Sequence, residues 1–399
     1  MKILIVNTFY YPNMQGGAEQ SVKLLAEGLF SKGHEVAVFT IDSKDGKNKV
    51  EFHNGIKIYR NNSGDFNLWK FSYEKNKVSK LEKVAQKLKC YCNDKVLSRF
   101  EKVCDDFKPD VIHSNTIYGI SGMVWKRASK KNIPVVHTIR DIGIVSPVQY
   151  NHKVNKMILK AHQIYMRKYT GYVSGVTSPS DYTLRTSLEI ASFKNAKVKK
   201  CIVNSVTIDS EAFRNIIKEK SGRTDKKIKF MYAGRLVYFK GIEHMIEAFN
   251  KMSYKNCELH ICGTGEMENY TKKCAKKNSR IIYHGKLNNE QLDKVYDECD
   301  VMLVPSCWPE PFGRVVIEGN MHGMPVIAGN WGGIPEIIRQ LKSGELYNAP
   351  SVDELALLLD KFTDRNVISS YYGNILDNMN FYGIDRQVDE FEKIYKSIQ

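Results

Sequence analysis

Ile228-Lys229-Phe230-Met231-Tyr232-Ala233-Gly234-Arg235-Leu236-Val237-Tyr238-Phe239-Lys240-Gly241 is the stretch on which the fold of this chain turns. A mostly apolar run ends at one glycine, and a loop with two cations follows. A second glycine then opens a segment in which Ile242, Met245, Ile246, Phe249 and Met252 recur at helical spacing. Strand, glycine-bounded loop and helix begin a βα unit. Downstream the alternation continues, with strands expected at Glu258–Cys262, Arg280–His284, Val301–Val304 and Pro325–Ala328. Helices are expected from Glu266, over Asn289–Cys299 and over Phe312–His322.

The first half reads the same way. Lys2–Asn7 carries the run Ile3-Leu4-Ile5-Val6, the mark of a strand buried on both faces of a parallel sheet. A loop with Gly16-Gly17 follows, and Val22, Leu25, Ala26 and Leu29 keep helical spacing up to Gly33 before a strand over Glu35–Ile41. A lysine-rich helix is expected over Tyr73–Phe107, broken near Cys92-Asn93, and others over Ile120–Lys131 and Lys153–Tyr169. Extended segments are expected at Asp110–His113, Pro134–Ile139, Gly175–Ser178 and Lys199–Asn204. At 399 residues the chain exceeds what one core serves. The expectation is two doubly wound α/β domains, 1–205 and 206–381, facing across a cleft where ligands meet the carboxyl ends of strands.

Apolar residues make up 42% and charged residues 26%, which excludes collagen, coiled coil and wholesale disorder. The apolar run after Met1-Lys2 is too short for a signal-peptide core, and nine scattered cysteines form no paired framework. Both point to a soluble cytoplasmic protein with reduced thiols. Residues 1–200 hold 34 basic and 17 acidic side chains, whereas residues 201–399 hold 26 and 27. A one-sided basic field suits a polyanionic partner, either nucleic acid or an anionic membrane surface. The first lacks any recognition motif here, so no nucleic acid is expected.

Three segments carry chemistry. Arg235 and Lys240 share one loop at a strand's carboxyl end, an arrangement suited to a diphosphate: Arg offers a fork of donors and Lys a point charge. Glu310-Pro311-Phe312-Gly313-Arg314-Val315-Val316-Ile317-Glu318 places two carboxylates eight residues apart at a helix start, where free N–H groups near Phe312 and Gly313 can hold an anion. Carboxylates also accept hydrogen bonds from the hydroxyls of sugars and ribose. Gly16-Gly17-Ala18-Glu19 lets the backbone approach a phosphate. Neither this loop nor Gly263-Thr264-Gly265 completes a dinucleotide fingerprint, and no phosphate-binding P-loop, H-E-x-x-H or G-x-S-x-G sequence occurs.

Together these segments resemble glycosyltransferase family 4, retaining nucleotide-sugar enzymes of the GT-B fold. The likeness runs through nearly the whole chain, including the Gly332-Gly333-Ile334-Pro335-Glu336 turn and, more loosely, Asp110–Asn115. Tyr382–Ile398 looks like the family's last helix, which returns to the first domain, so that domain is extended by residues 382–399. The resemblance implies a first domain for the acceptor and a second for the donor. Arg235 and Lys240 would bind the donor diphosphate, Glu310 the transferred sugar and Glu318 the ribose. Gly16, Gly17, Gly234, Gly263, Phe312, Gly313 and Arg314 would complete the donor site, with Glu19, His113 and His137 on the acceptor side. No divalent metal or other cofactor is implied.

One departure concerns Val135-Val136-His137-Thr138-Ile139-Arg140-Asp141, where Arg140 holds a position at which family members often carry His. His137 lies three residues away and faces the opposite side of an extended strand, so it reads as structural and Arg140 as the cleft residue. An Arg cannot serve as a base at neutral pH, which favours same-face transfer with the leaving phosphate taking the acceptor's proton. The expected activity is sugar transfer to a glycan or lipid-linked acceptor in capsule, O-antigen or exopolysaccharide assembly, by a protein held peripherally at the inner membrane face. The alternatives are a nucleotide-sugar epimerase or hydrolase of the same fold and, outside enzymes, a basic nucleic-acid-binding protein.

Overall fold

A computed structural model describes residues 1–14, 16–63, 68, 79, 86–147 and 155–399. The chain divides into two compact units, Met1–Val206 with Ile384–Gln399, and Thr207–Gly383.

In the first unit, β1 (Lys2–Val6) is the expected apolar strand, with Ile3 to Val6 fully buried. Helix α1 (Gly17–Ser31) lays Val22, Leu25, Ala26 and Leu29 against the sheet and gives way to β2 (Glu35–Thr40). A hairpin that the helical and apolar patterns had not suggested comes next, β3 (Lys49–His53) and β4 (Ile56–Arg60). Asn54 and Gly55 both take positive φ, 48° and 80°, as a tight two-residue turn requires. Residues 73–78 and 80–85 of the expected lysine-rich helix lie outside the described residues; its remainder is helical as α2 (Asp94–Phe107), after a break with Asn93 as the capping position. Then come β5 (Val111–Ser114), α3 (Met123–Lys130), β6 (Val135–Thr138), α4 (Lys156–Thr170), β7 (Gly175–Ser178), α5 (Asp181–Ala191) and β8 (Val198–Cys201). Residues 153 and 154, at the expected start of α4, also lie outside the described residues. The strands order as β3-β4-β2-β1-β5-β6-β7-β8, parallel except between β3 and β4.

The second unit opens with α6 (Ser210–Ser221) and then repeats the plan. Strands β9 (Ile228–Ala233), β10 (Cys257–Cys262), β11 (Ile281–Gly285), β12 (Val301–Val304), β13 (Val326–Gly329) and β14 (Gly344–Tyr347) alternate with α7 (Ile242–Lys251), α8 (Glu268–Lys277), α9 (Asn289–Glu298), α10 (Arg314–Met321) and α11 (Ile334–Leu341). The all-parallel order β11-β10-β9-β12-β13-β14 reverses direction between β9 and β12. The first sheet reverses likewise between β1 and β5. A doubly wound sheet binds ligands outside the carboxyl ends of its strands at such a reversal.

Helices α12 (Val352–Lys361), α13 (Arg365–Ser369) and α14 (Tyr372–Asn378) close the second unit, and α15 (Ile384–Ile398) belongs to the first. Val388, Phe391, Ile394, Tyr395 and Ile398 of α15 share a core with Val22, Leu25 and Leu29 of α1 and with β1.

Candidate functional site

At the reversal of the second sheet, the loop after β9 is clamped on both sides. Leu236 is fully buried; its N–H donates to Thr264 O at 2.9 Å and its carbonyl accepts from Met267 N at 2.9 Å. That seats the Arg235–Lys240 loop on the Gly263-Thr264-Gly265 turn, where a Cβ on Gly263 would stand 1.9 Å from Gly234 O. On the other side Cys307 N donates to Phe239 O at 2.9 Å. Gly241 has φ of +73°, and a Cβ there would come within 2.0 Å of Pro305 O, so only glycine fits. The loops after β9 and β12 are thereby zipped together.

The result is a convergence on Glu310. The Lys240 ammonium and the Ser306 hydroxyl both donate to Glu310 Oε1. Gly333 N donates to Glu310 O at 2.8 Å, and Gly332, at φ +64°, lies so close that a Cβ would meet that carbonyl at 2.3 Å. Burial pushes the Glu310 carboxyl up. The charge and hydrogen bond of Lys240, the Ser306 hydroxyl and the charge of Arg235 outweigh it and hold the group below its ordinary value. Burial pushes the Tyr232 phenol up, helped by Glu310; its hydroxyl donates to Arg235 O at 2.8 Å beneath the loop. A carboxylate kept ionised, two cations and a buried hydroxyl thus occupy one end of the sheet.

Phe312 is buried, and Gly313 takes the capping position of α10 in the left-handed region. On that helix Arg314 Nε donates to Glu318 Oε1 at 2.9 Å, one turn apart. The structure therefore brings Gly234, Arg235, Lys240, Gly263 and Glu310 together and pairs Arg314 with Glu318. Ser306 and Tyr232 were not singled out in the sequence. The signal for Ser306 is a small hydroxyl just after the apolar strand Val301–Val304; for Tyr232 nothing local distinguishes it from a core aromatic.

In the first unit, Gly16 is extended and its N–H donates to Glu19 Oε2 at 3.0 Å, so the Glu19 carboxylate caps α1. His113 is wholly buried, with Nδ1 2.6 Å from Tyr395 Oη and Nε2 2.7 Å from Thr138 Oγ1, which occupies both ring nitrogens. His137 lies beneath the surface between the Trp125 and Phe193 rings, with Nδ1 3.0 Å from Ser114 Oγ. Burial pushes His137 down to about 3, and burial, then Arg140 and His137, push His113 well below its ordinary value. Both histidines are buried and hydrogen-bonded inside the first unit. Arg140 follows β6; its Nε donates to Asn115 Oδ1 at 2.7 Å and its Nη1 to Asn204 Oδ1. The loop after β1 is held by a buried pair, Arg60 with Asp42, to which Tyr10 N also donates at 2.9 Å. Among the described residues no group of three His, Cys, Asp or Glu is placed to hold a metal ion.

Residues 15–199 match the family model described as Glycosyltransferase Family 4, and residues 213–374 that described as Glycosyl transferases group 1. A 42.6 kDa protein of the cps region of Klebsiella pneumoniae is 33% identical over 358 residues, 86% of this chain and 88% of that one. The O-antigen chain mannosyltransferase C of Escherichia coli is 21% identical over 413 residues, 100% of this chain and 99% of that one. Among solved structures, the sucrose-phosphate synthase of Thermosynechococcus elongatus superposes with a TM-score of 0.77 at 18% identity, covering 100% and 98% of the two chains. HepE of Anabaena, in complex with UDP, gives 0.69 at 17% identity and covers both chains fully. Two doubly wound, mostly parallel sheets that match these structures give the GT-B fold of glycosyltransferases. The chain belongs to glycosyltransferase family 4.

Proposed function

We propose that the protein transfers a hexosyl group from a nucleoside-diphosphate sugar to a glycan or lipid-linked acceptor in surface polysaccharide assembly. It does so with retention, without a divalent metal, at the anionic inner face of a membrane. The observation that carries this reading is the convergence of Lys240 and Ser306 on Glu310, with Arg235 on the same loop. As the glycosidic bond breaks, negative charge grows on the departing diphosphate. Fixed cations aimed at that charge stabilise it without reorganisation. Lys240 has three donors and gives one to Glu310, so it also serves a phosphate oxygen. Glu310, kept ionised, accepts hydrogen bonds from sugar hydroxyls and orients the ring. The leaving phosphate oxygen takes the acceptor's proton, since His113 and His137 are buried and bonded. The cps-region and O-antigen relatives support polysaccharide assembly, and the UDP-bound neighbour supports a nucleotide donor.

The test follows the anomeric proton of the first-formed product by NMR, with and without excess EDTA. Retention at an unchanged rate is expected. Inversion would remove the same-face mechanism, and loss of activity restored by Mn²⁺ or Mg²⁺ would remove the cation-pair mechanism.

A further inference from the structure

Helix α4 turns His162, Met166 and Tyr169 inward and leaves an outer face of unusual make-up. Met157 is 80% exposed and Ile164 61%. Seven residues apart, they lie in line on one side of the helix, two turns from each other. Lys156, Lys160 and Arg167 flank that line on one side and Lys168 on the other; the helix contains no acidic residue. At its carboxyl end lies a cavity of about 600 Å³ lined by Arg167, Lys168, Tyr172 and Lys194, with no acid among the described residues of its wall. Arg167 is fixed there by donating from Nε to Ile190 O at 2.6 Å.

We infer that this face of α4 lies in the headgroup layer of an anionic bilayer. Met157 and Ile164 would enter the acyl boundary, the flanking cations would pair with lipid phosphates, and the cavity would take one headgroup. The inference rests on the membrane placement proposed above and names the surface that achieves it. Two features separate a lipid surface from nucleic acid. The apolar residues at the centre of the face are aliphatic, which suits acyl chains rather than stacked bases. A helix with an aliphatic centre bordered by Lys156, Lys160 and Arg167 on one side and Lys168 on the other is also the pattern of a segment lying in the plane of a membrane interface. Among the described residues no helix is long and apolar enough to cross one.

The experiment is flotation of the full chain with vesicles of equimolar phosphatidylcholine and phosphatidylglycerol, against phosphatidylcholine alone, for wild type and two variants. Wild type should float with the anionic vesicles only and be released by molar salt. Met157→Asp/Ile164→Asp should lower the partition at least about tenfold. Met157→Leu/Ile164→Leu should keep it, and both variants should retain the wild-type melting temperature and rate on a water-soluble acceptor. If wild type floats but the aspartate variant floats equally, α4 is the wrong surface while membrane placement stands. If wild type floats with neither vesicle, or with both alike, the placement itself fails; retention on RNA with no flotation would overturn it in favour of a nucleic-acid partner.

Discussion

Burial alone would push Glu310 toward the protonated form; its state is set by Lys240, seventy residues away in the chain. Replacing Lys240 releases the carboxylate it holds and, in the proposed role, removes a charge from the leaving group. Lys240→Met is expected to lower turnover at saturating donor at least about a hundredfold, the scale for losing one preorganised charge. Near-normal turnover in that variant would sink the donor-phosphate role. A second residue-scale effect belongs to His113 and His137, which fold neutral. In the unfolded chain each takes up a proton below its ordinary value of about 6.5, so the unfolded state binds more protons there and stability falls as pH falls. The loss should approach about 1.4 kcal/mol per pH unit for each histidine. For His137 it begins near pH 6.5 and ends at its folded value of about 3. Denaturant titrations at stepped pH should show this slope, and His137→Phe should reduce it by one proton's worth; an unchanged slope would count against a neutral, buried ring.

At the scale of elements, α15 is tied to the first sheet through a polar contact inside an apolar seam. Tyr395→Phe would leave His113 Nδ1 buried without its partner and should cost about 1–3 kcal/mol in urea unfolding. A variant as stable as wild type would mean that the contact contributes nothing. This contact also shows where sequence reading stops. The buried strands were legible because a run such as Ile3-Leu4-Ile5-Val6 admits little else. The loop glycines were legible because cations and turns bracket them. The β3–β4 hairpin was legible in principle, from Asn54-Gly55 between Val50, Phe52 and Ile56, Ile58, but its short strands alternate with charged residues and carry neither a helical period nor a continuous apolar run. The burial of His113 was illegible for a different reason: it sits near a strand's carboxyl end, where ligand-binding side chains also sit. What converts it to a core group is Tyr395, 282 residues later. Pairings of that separation leave no local trace in composition or period.

On the scale of the whole molecule, the two units differ in charge and in continuity. The basic excess of residues 1–200 lies in the first unit, so salt should act on that unit's surface interactions and leave the donor loop largely untouched. The second unit is one uninterrupted stretch, Thr207–Gly383, whereas the first takes Ile384–Gln399 from the far end of the chain. A chain ending after Gly383 should therefore keep a protease-resistant fragment covering the second unit while residues 1–206 are degraded. Equal survival of both would mean that α15 is dispensable to the core that Phe391 and Tyr395 fill. The same discontinuity fixes an order of events at the ribosome. Domains generally fold as they are synthesised, the first to emerge going first. Here the first to emerge must wait: its sheet and α1 can assemble early, but the apolar surface that Val388, Phe391, Ile394 and Tyr395 cover stays open until α15 is translated. By then the second unit has had the whole of its own sequence in hand. The half of the protein made first is the half finished last, and throughout that interval the nascent chain carries an open apolar face.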